Sequence, residues 1–276
     1  MDNFSVDAYT PKEIAARIEK VCVSKSTSDP LRVFALAILA GAFITFGALF
    51  YTLVTYDSAG VAAGLMRLIG GLVFCLGLIL VVVAGAELFT GNILIVMAYV
   101  DGCVSLKQLT QNWMIVFIGN FVGAVGILML IYYSGHWEIG NGALGAKVIT
   151  IANAKVNLGW MEAFTRGILC NILVCMAIWL CFAGRTVVDK VLAILFPITA
   201  FVALGFEHSV ANMYFIPAGI LAQQQPEFAQ LVGSMNMDNL TVSGFLLNNL
   251  LPVTLGNIVG GSVFVGLFYW FIYLRD

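Results

Sequence analysis

The sequence predicts an all-α membrane protein with six transmembrane helices. Of its 276 residues, 61% are apolar and only 10% are charged, whereas soluble domains carry roughly 25% charged residues. The apolar residues form long continuous runs and do not alternate with polar residues as they would in the strands of a membrane barrel. This composition excludes a water-soluble enzyme and an intrinsically disordered chain.

The apolar runs define the number of spans. They lie at residues 33–54, 68–100, 113–133, 164–184, 191–222 and 245–273. The second and fifth runs are too long for one straight crossing of about 20 residues. Polar residues interrupt them at 87–92 and 207–212, so we expect helices 2 and 5 to be broken.

Residues 1–30 are predicted to form a cytoplasmic amphipathic helix ahead of a six-span domain at 31–276. Residues 10–13 match a capping box with proline at the first helical position, and Asp29-Pro30 ends the helix. The segment lacks the apolar stretch of a cleavable signal peptide. A helix that lies on the membrane surface or binds a partner fits these residues, and so does a simple lead-in.

The distribution of basic residues predicts the orientation. Most of the 13 lysines and arginines lie in segments that are cytoplasmic if the N-terminus is inside. The positive-inside rule therefore places both termini in the cytoplasm. Tyr269, Trp270 and Tyr273 lie near the inner end of the last span, where aromatic residues are enriched.

The two halves of the chain repeat each other. The Gly-Asn-x-Val-Gly pattern at 119–123 recurs at 256–260, and Glu87 with Asn92 is matched by Glu207 with Asn212. Three spans per half is an odd number, so the second half enters the membrane from the opposite side. The result is an inverted 3+3 repeat, whose paired broken helices meet near the membrane midplane around a pathway.

Several polar residues at the breaks are candidates for function. His208 is titratable and lies deep in a span, where such residues face the interior of the bundle; a neutral histidine that satisfies hydrogen bonds at the break is the alternative. We expect Glu87 and Glu207 to cap the half-helices that follow them, with a role as functional acids as the alternative. Asn171 could reach His208 or a substrate, and Thr90 could do the same from the other break.

The connection between spans 3 and 4 carries two lysines. Lys147 and Lys155 could form a positive vestibule that attracts anions, although for Lys147 a solvated loop is the preferred interpretation. The cysteines show no CxxC spacing, so neither a disulfide framework nor a zinc site is expected. The net charge of −2 argues against a nucleic-acid partner.

Three segments resemble the formate/nitrite transporter family. Residues 205–213 (Gly-Phe-Glu-His-Ser-Val-Ala-Asn-Met) are similar to its fifth-span signature. Residues 88–90 with 94–96 resemble its Ω-shaped loop in the second span, and residues 249–261 resemble its sixth-span motif. The resemblance covers nearly the whole chain.

The resemblance implies an aquaporin-like fold assembled as a homopentamer, with one pore in each protomer. It implies a passive, pH-sensitive channel for formate and related small monovalent anions in the bacterial inner membrane, with nitrite or hydrosulfide as the alternative substrate. By matching position, His208 is the central pore histidine, held by Thr90 and near Asn171. Lys155 matches the basic residue at the outer approach.

The resemblance also places the constrictions of the pore. Phe74 and Phe201 would form the outer constriction, and Leu78 and Leu88 the inner one. Gly91-Asn92 departs from the serine and threonine found more often in formate channels, so the resemblance does not extend to these two positions of the Ω loop. His208 would either compensate the anion, by charge or hydrogen bonding, or donate a proton so that the neutral acid crosses.

Two other classes of function remain open. A membrane-embedded enzyme would use His208 and Glu207, but the sequence has no HExxH, GxSxG or serine–histidine–acid motif. A sensor or scaffold would use residues 1–30 as its working part. We expect a transport protein that is not an enzyme and needs no cofactor or metal. Its partners would be membrane lipid and a soluble cytoplasmic protein at the N-terminal helix.

Overall fold

The computed structural model describes residues 8–275, and within that range it contains helices and no β-strand. Five helices are long and apolar enough to cross a membrane, and two shorter apolar helices belong to the spans predicted to be broken. The all-α, six-span prediction is therefore confirmed. In chain order the helices are α1 (Pro11–Thr27), α2 (Pro30–Thr55), α3 (Ala63–Ala84), α4 (Phe89–Val100), α5 (Leu106–Tyr133), α6 (Ala143–Val156), α7 (Trp160–Ala183), α8 (Val187–Ala203), α9 (Ser209–Ala222), α10 (Pro226–Leu231) and α11 (Gly244–Tyr273).

The second and fifth spans are each divided into two helices, as the sequence predicts. α3 is followed by Gly85, whose φ of 79° is in the left-handed region, and α4 begins at Phe89. α8 is followed by Gly205 with φ 73°, and α9 begins at Ser209. A residue with a Cβ is strained at such an angle, so each glycine allows the chain to leave one half-helix and enter the next.

The helix pairs α2–α5 and α7–α11 make the most extensive contacts in the bundle. A Cβ added to Gly123 on α5 would run into the carbonyl oxygen of Ile38, and one added to Gly260 on α11 would run into that of Ile168. These two glycines therefore allow the close contact of each helix pair. Gly126 takes no part in such a contact, because a Cβ added there has nothing within 4 Å.

α1 packs onto the bundle along its whole apolar face. The Thr10 side chain accepts a hydrogen bond from the amide of Glu13, and the Glu13 carboxylate accepts one from the amide of Thr10. These two bonds confirm the capping box. Ile14, Ile18 and Cys22 are buried in a cluster with residues of α4, α5, α7 and α11. The apolar face of α1 is therefore occupied by the protein's own spans, and the division of the chain at residue 30 stays a prediction.

α6 occupies the connection between spans 3 and 4, and the expectation of a solvated loop around Lys147 was wrong. Leu144, Val148, Ile149 and Ala152 recur at helical spacing and are buried. They fix α6 mainly against α9. Lys147 is half-buried on this helix.

Candidate functional site

An asparagine from each Gly-Asn-x-Val-Gly pattern stabilises the backbone at one break by hydrogen bonds. The Asn120 side chain donates to the carbonyl oxygens of Ala37 at 2.8 Å and Glu87 at 2.9 Å. Its own oxygen accepts from the amide of Phe89 at 2.9 Å, at the start of α4. Buried backbone groups need such partners because no water reaches them. Asn257 makes the same three contacts in the second half, with Gly167, Glu207 and Ser209.

Glu87 and Glu207 do not cap the half-helices, and that prediction was wrong. The amides at the starts of α4 and α9 donate to Asn120, Asn257 and His208. Asn120 and Asn257, on the neighbouring helices α5 and α11, and His208 already accept these hydrogen bonds. The two glutamate carboxylates are left to bind lysine and asparagine side chains.

Glu207 is the centre of a buried polar cluster at the α6 end of the pathway. Its carboxylate accepts from Lys155 Nζ at 2.8 Å, from Asn212 Nδ2 at 2.7 Å and from Asn249 Nδ2 at 3.1 Å. Asn249 also donates to the backbone oxygen of Lys155 at 3.0 Å. The predicted basic residue Lys155 is thus paired with a carboxylate and is not an isolated cation.

The same cluster exists at the α1 end, around Glu87. Its carboxylate accepts from Lys25 Nζ at 2.9 Å and from Asn92 Nδ2 at 2.6 Å. Asn112 accepts from Asn92 and donates to the backbone oxygen of Lys25 at 3.2 Å. Lys25 and Asn112 were missed from the sequence. For Asn112 a signal was present, because it precedes Asn120 by the same spacing as Asn249 precedes Asn257.

The two clusters extend the inverted repeat to α1 and α6. Lys25 lies near the C-terminal end of α1, and Lys155 lies near that of α6. Each lysine approaches the break of its own half and neutralises a buried carboxylate. The Lys155–Glu207 pair is the more deeply buried, with side-chain exposures of 16% and 5% against 28% and 10% for Lys25–Glu87.

His208 and Thr90 meet between the two breaks. Thr90 Oγ1 lies 2.9 Å from His208 Nε2, and both residues are buried. His208 Nδ1 accepts from the amide of Ala211 at 3.1 Å. Because Nδ1 uses its lone pair there, the single proton of the neutral ring resides on Nε2. Nε2 therefore donates a hydrogen bond to Thr90 Oγ1. The Thr90 hydroxyl then keeps its own hydrogen, for which residues 8–275 show no acceptor.

Asn171 links the first break to α11, and within residues 8–275 it forms no hydrogen bond to His208. Its Nδ2 donates to the backbone oxygens of Asn257 at 2.7 Å and Thr90 at 3.2 Å. Its Oδ1 is buried and has no hydrogen-bond partner among the described residues. Asn171 therefore fixes the backbone of the Ω loop, and through it the position of the Thr90 hydroxyl.

The predicted outer constriction is an aromatic cluster. Phe74 and Phe201 meet edge to face with ring centroids 5.7 Å apart, and Phe201 stacks on His208 at 5.9 Å. These three residues and Lys155 line a cavity of about 90 Å³ at the α6 end.

At the α1 end, a second cavity of about 200 Å³ is lined by Leu88, Glu87 and Lys25. We call it the inner cavity. Leu78 is buried in α3 but does not line the inner cavity, whose α3 residues are Val81 and Val82. The Thr90–His208 pair thus lies between two cavities, each with a lysine–glutamate pair in its wall.

Comparisons with known proteins agree with this architecture. The family model described as formate/nitrite transporter matches residues 12–271. The formate channel FocA of Escherichia coli K12 is 44% identical over 274 residues, which cover 98% of this chain and 96% of FocA. FocA of Haemophilus influenzae is 44% identical over 265 residues, with 95% and 93% covered.

Solved structures show the same fold. A pentameric formate channel with formate bound superposes with a TM-score of 0.83 at 41% identity, covering 89% of this chain and 98% of that one. An ion channel of the same family superposes with a TM-score of 0.78 at 29% identity, covering 94% and 98%. The inverted six-span repeat, its two breaks and these matches lead to one conclusion: the chain belongs to the formate/nitrite transporter family.

Proposed function

We propose that this protein is a passive, pH-sensitive formate channel of the bacterial inner membrane, with His208, Thr90, Asn171 and Lys155 as its pore residues. The observation that carries this proposal is the buried Thr90–His208 pair between two cavities. The proposal is also supported by the 44% identity to FocA and by the structural similarity to a solved channel with formate bound.

An anion that enters the narrow region loses its water shell, at a cost of several kcal/mol. The rings of Phe74 and Phe201 and the side chains of Leu78 and Leu88 offer it no hydrogen bond. Thr90 does, because its hydroxyl hydrogen is uncommitted once Nε2 of His208 donates to its oxygen. A hydrogen bond to a charged group contributes about 2 kcal/mol, which offsets part of the dehydration cost.

The bonding of His208 favours compensation of the anion over proton donation. A neutral ring that gave up its Nε2 proton would be left as an imidazolate. To donate and remain neutral, the ring must first carry a second proton on Nδ1, and that proton would displace the amide of Ala211. We therefore assign His208 the task of orienting the Thr90 hydroxyl toward the anion.

Lys155 supplies hydrogen-bond donors at the outer approach. Its ammonium group has three donors, and in residues 8–275 one of them binds Glu207. It lines the same cavity as Phe74, Phe201 and His208, so its remaining donors can meet an anion before the aromatic constriction. Because Glu207 neutralises the charge of Lys155, an anion that binds at this pair is held weakly enough to leave again.

The proposal includes assembly and orientation. The chain would form a homopentamer with a pore in each protomer, embedded in membrane lipid with both termini in the cytoplasm. α1 would then cover the cytoplasmic end of each pore. Its exposed polar face, opposite the buried Ile14 and Ile18, is the surface left for a soluble cytoplasmic partner.

Anion flux into proteoliposomes tests the substrate. Formate, nitrite, hydrosulfide and chloride are compared at two pH values. Formate flux that exceeds the others and changes with pH supports the proposal. A preference for nitrite or hydrosulfide would move the assignment to another substrate of the same family, and absence of flux for every anion would overturn the channel.

A further inference from the structure

Tyr51, on α2, brings a phenol to the cavity of about 90 Å³ at the α6 end, which we call the outer cavity. Its ring meets the ring of Phe215 edge to face, with ring centroids 6.0 Å apart. The same ring lies against α3, where a Cβ added to Gly70 would come within 2.8 Å of it. Contacts with α3 and α9 therefore fix the Tyr51 ring in the wall of the outer cavity.

The hydroxyl of Tyr51 is an available hydrogen-bond donor. Within residues 8–275 it has no hydrogen-bond partner, and its oxygen is not fully buried. A tyrosine hydroxyl in a protein interior usually has a partner. The hydrogen of this one is therefore left for a molecule that enters the outer cavity.

Two other polar side chains of the outer cavity, Asn212 and His208, have no hydrogen left to donate. Both Nδ2 hydrogens of Asn212 are used, by the carboxylate of Glu207 at 2.7 Å and by Asn249 Oδ1 at 2.7 Å. The single proton of the neutral His208 ring forms the hydrogen bond to Thr90. Neither side chain can offer an anion in this cavity a further hydrogen bond.

Among the described side chains that line the outer cavity, Lys155 and Tyr51 are the donors that remain, since Glu207 in its ionised form only accepts. One of the three donors of Lys155 binds Glu207. Lys155 Nζ lies 5.3 Å from the centroid of the Phe215 ring, which Tyr51 also contacts. The ammonium group and the phenol thus share one small cavity. Its volume is several times the minimum for one water molecule, so it can hold a small anion.

The inverted repeat places this position at a cavity in both halves. The spacing that separates Ile38 from Ile168, the residues that contact the two equivalent glycines, also separates Tyr51 from Cys181. Cys181 lines the inner cavity. Its thiol is a weak donor and already binds a backbone oxygen at 3.6 Å. The outer cavity therefore has an available donor where the inner cavity has a weak one that is in use.

Resting on the proposed function, we propose that the Tyr51 hydroxyl donates a hydrogen bond to the anion in the outer cavity, and that Tyr51 and Lys155 together form a binding site before the aromatic constriction. An O–H···O⁻ bond to a carboxylate is short and about twice as strong as a bond between neutral groups. Because the phenol is neutral, it offsets dehydration without adding a charge that would retain the anion. Tyr51 then sets the formate concentration at which the outer cavity fills.

Tyr51→Phe tests the proposal, because it removes the hydroxyl and keeps the ring against Gly70 and Phe215. Formate flux into proteoliposomes is measured as a function of formate concentration. Loss of a hydrogen bond to a charged group is expected to raise the half-saturating concentration about tenfold, with no loss of maximal flux. The matched control is Tyr56→Phe, which should change neither quantity. Tyr56 follows the last turn of α2, packs against Gly140 and lies outside the outer cavity.

Binding is also measured without flux, by the rise in unfolding temperature that formate produces in detergent. A ligand that binds the folded state stabilises it by an amount set by the ratio of its concentration to Kd. Tyr51→Phe should therefore need about ten times as much formate as the wild type for the same rise. Without formate the two proteins should unfold at the same temperature, and a lower temperature for Tyr51→Phe would contradict the unpaired hydroxyl.

An unchanged half-saturating concentration for Tyr51→Phe, whatever its maximal flux, would overturn the role of Tyr51 and leave the channel in place. A wild-type protein without any formate flux would instead overturn the proposed function, so the two failures are distinguishable. An equal rise of the half-saturating concentration in Tyr56→Phe would also contradict the proposal, because that hydroxyl does not reach the outer cavity.

Discussion

Leu88 and His208 occupy equivalent positions in the two halves, each directly after the glutamate of its break. The framework around them is the same, since Asn120 and Asn257 make matching contacts. The central site therefore arises where the halves differ. One half supplies an imidazole, and the other supplies the Thr90 hydroxyl oxygen that accepts its hydrogen bond.

The lysine–glutamate pairs should contribute unequally to stability. Lys155→Met leaves the Glu207 carboxylate buried without its counter-charge, and removal of one partner from a buried pair costs about 3 kcal/mol. Lys25→Met should cost less, because the Lys25 side chain is 28% exposed against 16% for Lys155. Thermal unfolding in detergent measures both variants.

Adding Glu207→Gln to Lys155→Met is the control for charge, and it should recover part of the lost stability. Equal unfolding temperatures for Lys25→Met and Lys155→Met would contradict the difference in burial between the two pairs.

At the scale of elements, α1 is held at three places. Tyr9 binds the end of α7, Ile18 and Cys22 enter the apolar cluster, and Lys25 reaches the break. On the same helix, the carboxylate of Glu19 lies within 4.8 Å of Asp101 and the thiol of Cys103. Trp270 donates to Asp101 at 2.7 Å and holds it in place.

The contact of Glu19 with Asp101 should make the docking of α1 depend on pH. Burial, and then Asp101, raise the pKa of Glu19 from 4.5 to about 7. The docked state therefore binds the proton more tightly than the released state, so docking is strongest below pH 4.5 and weakens as pH rises toward 7. Labelling of Cys22, which α1 buries, reports release of the helix.

Glu19→Gln is the control for this titration, because it removes the carboxyl group and keeps the shape. The ratio of wild-type to variant labelling cancels the pH dependence of the thiol reaction. We expect that ratio to rise across the window from pH 4.5 to 7, and a constant ratio would contradict the role of Glu19.

The crossing of α2 and α5 should depend on one glycine and not on its neighbour. Gly123→Ala would press a Cβ into the backbone at Ile38, whereas Gly126→Ala meets nothing within 4 Å. The first should prevent folding or lower the unfolding temperature strongly. The second should be neutral or stabilise by up to about 1 kcal/mol, because alanine favours helix over glycine. Yield of folded protein and thermal unfolding measure both, and similar losses would contradict the packing.

At the scale of the whole molecule, an inverted repeat brings two broken helices together and places a cavity on each side of their meeting point. Most of this architecture could be predicted from the sequence, because span number and breaks depend on local composition. The repeated Gly-Asn-x-Val-Gly pattern revealed the inversion. The pairing of Lys25 with Glu87 and the packing of α6 against α9 could not be seen in this way, since both depend on contacts between distant segments.

The site was predicted in part. The sequence directed attention to His208, Thr90 and Asn171, and the structure brings their segments together. It did not indicate that Glu87 and Glu207 bind lysines, because asparagines at other positions take the capping contacts. Which atom of His208 carries the proton is decided by the amide of Ala211, a contact formed only once α9 is folded.

The measurement that tests the central claim most directly is formate flux in proteoliposomes containing wild-type protein, Thr90→Val or Thr90→Ser. Thr90→Val removes the hydroxyl and nearly keeps the volume, while Thr90→Ser keeps the hydroxyl. The loss of a hydrogen bond to an anion predicts flux lower by about tenfold or more for Thr90→Val, and flux close to wild type for Thr90→Ser. Wild-type flux in Thr90→Val would contradict the account.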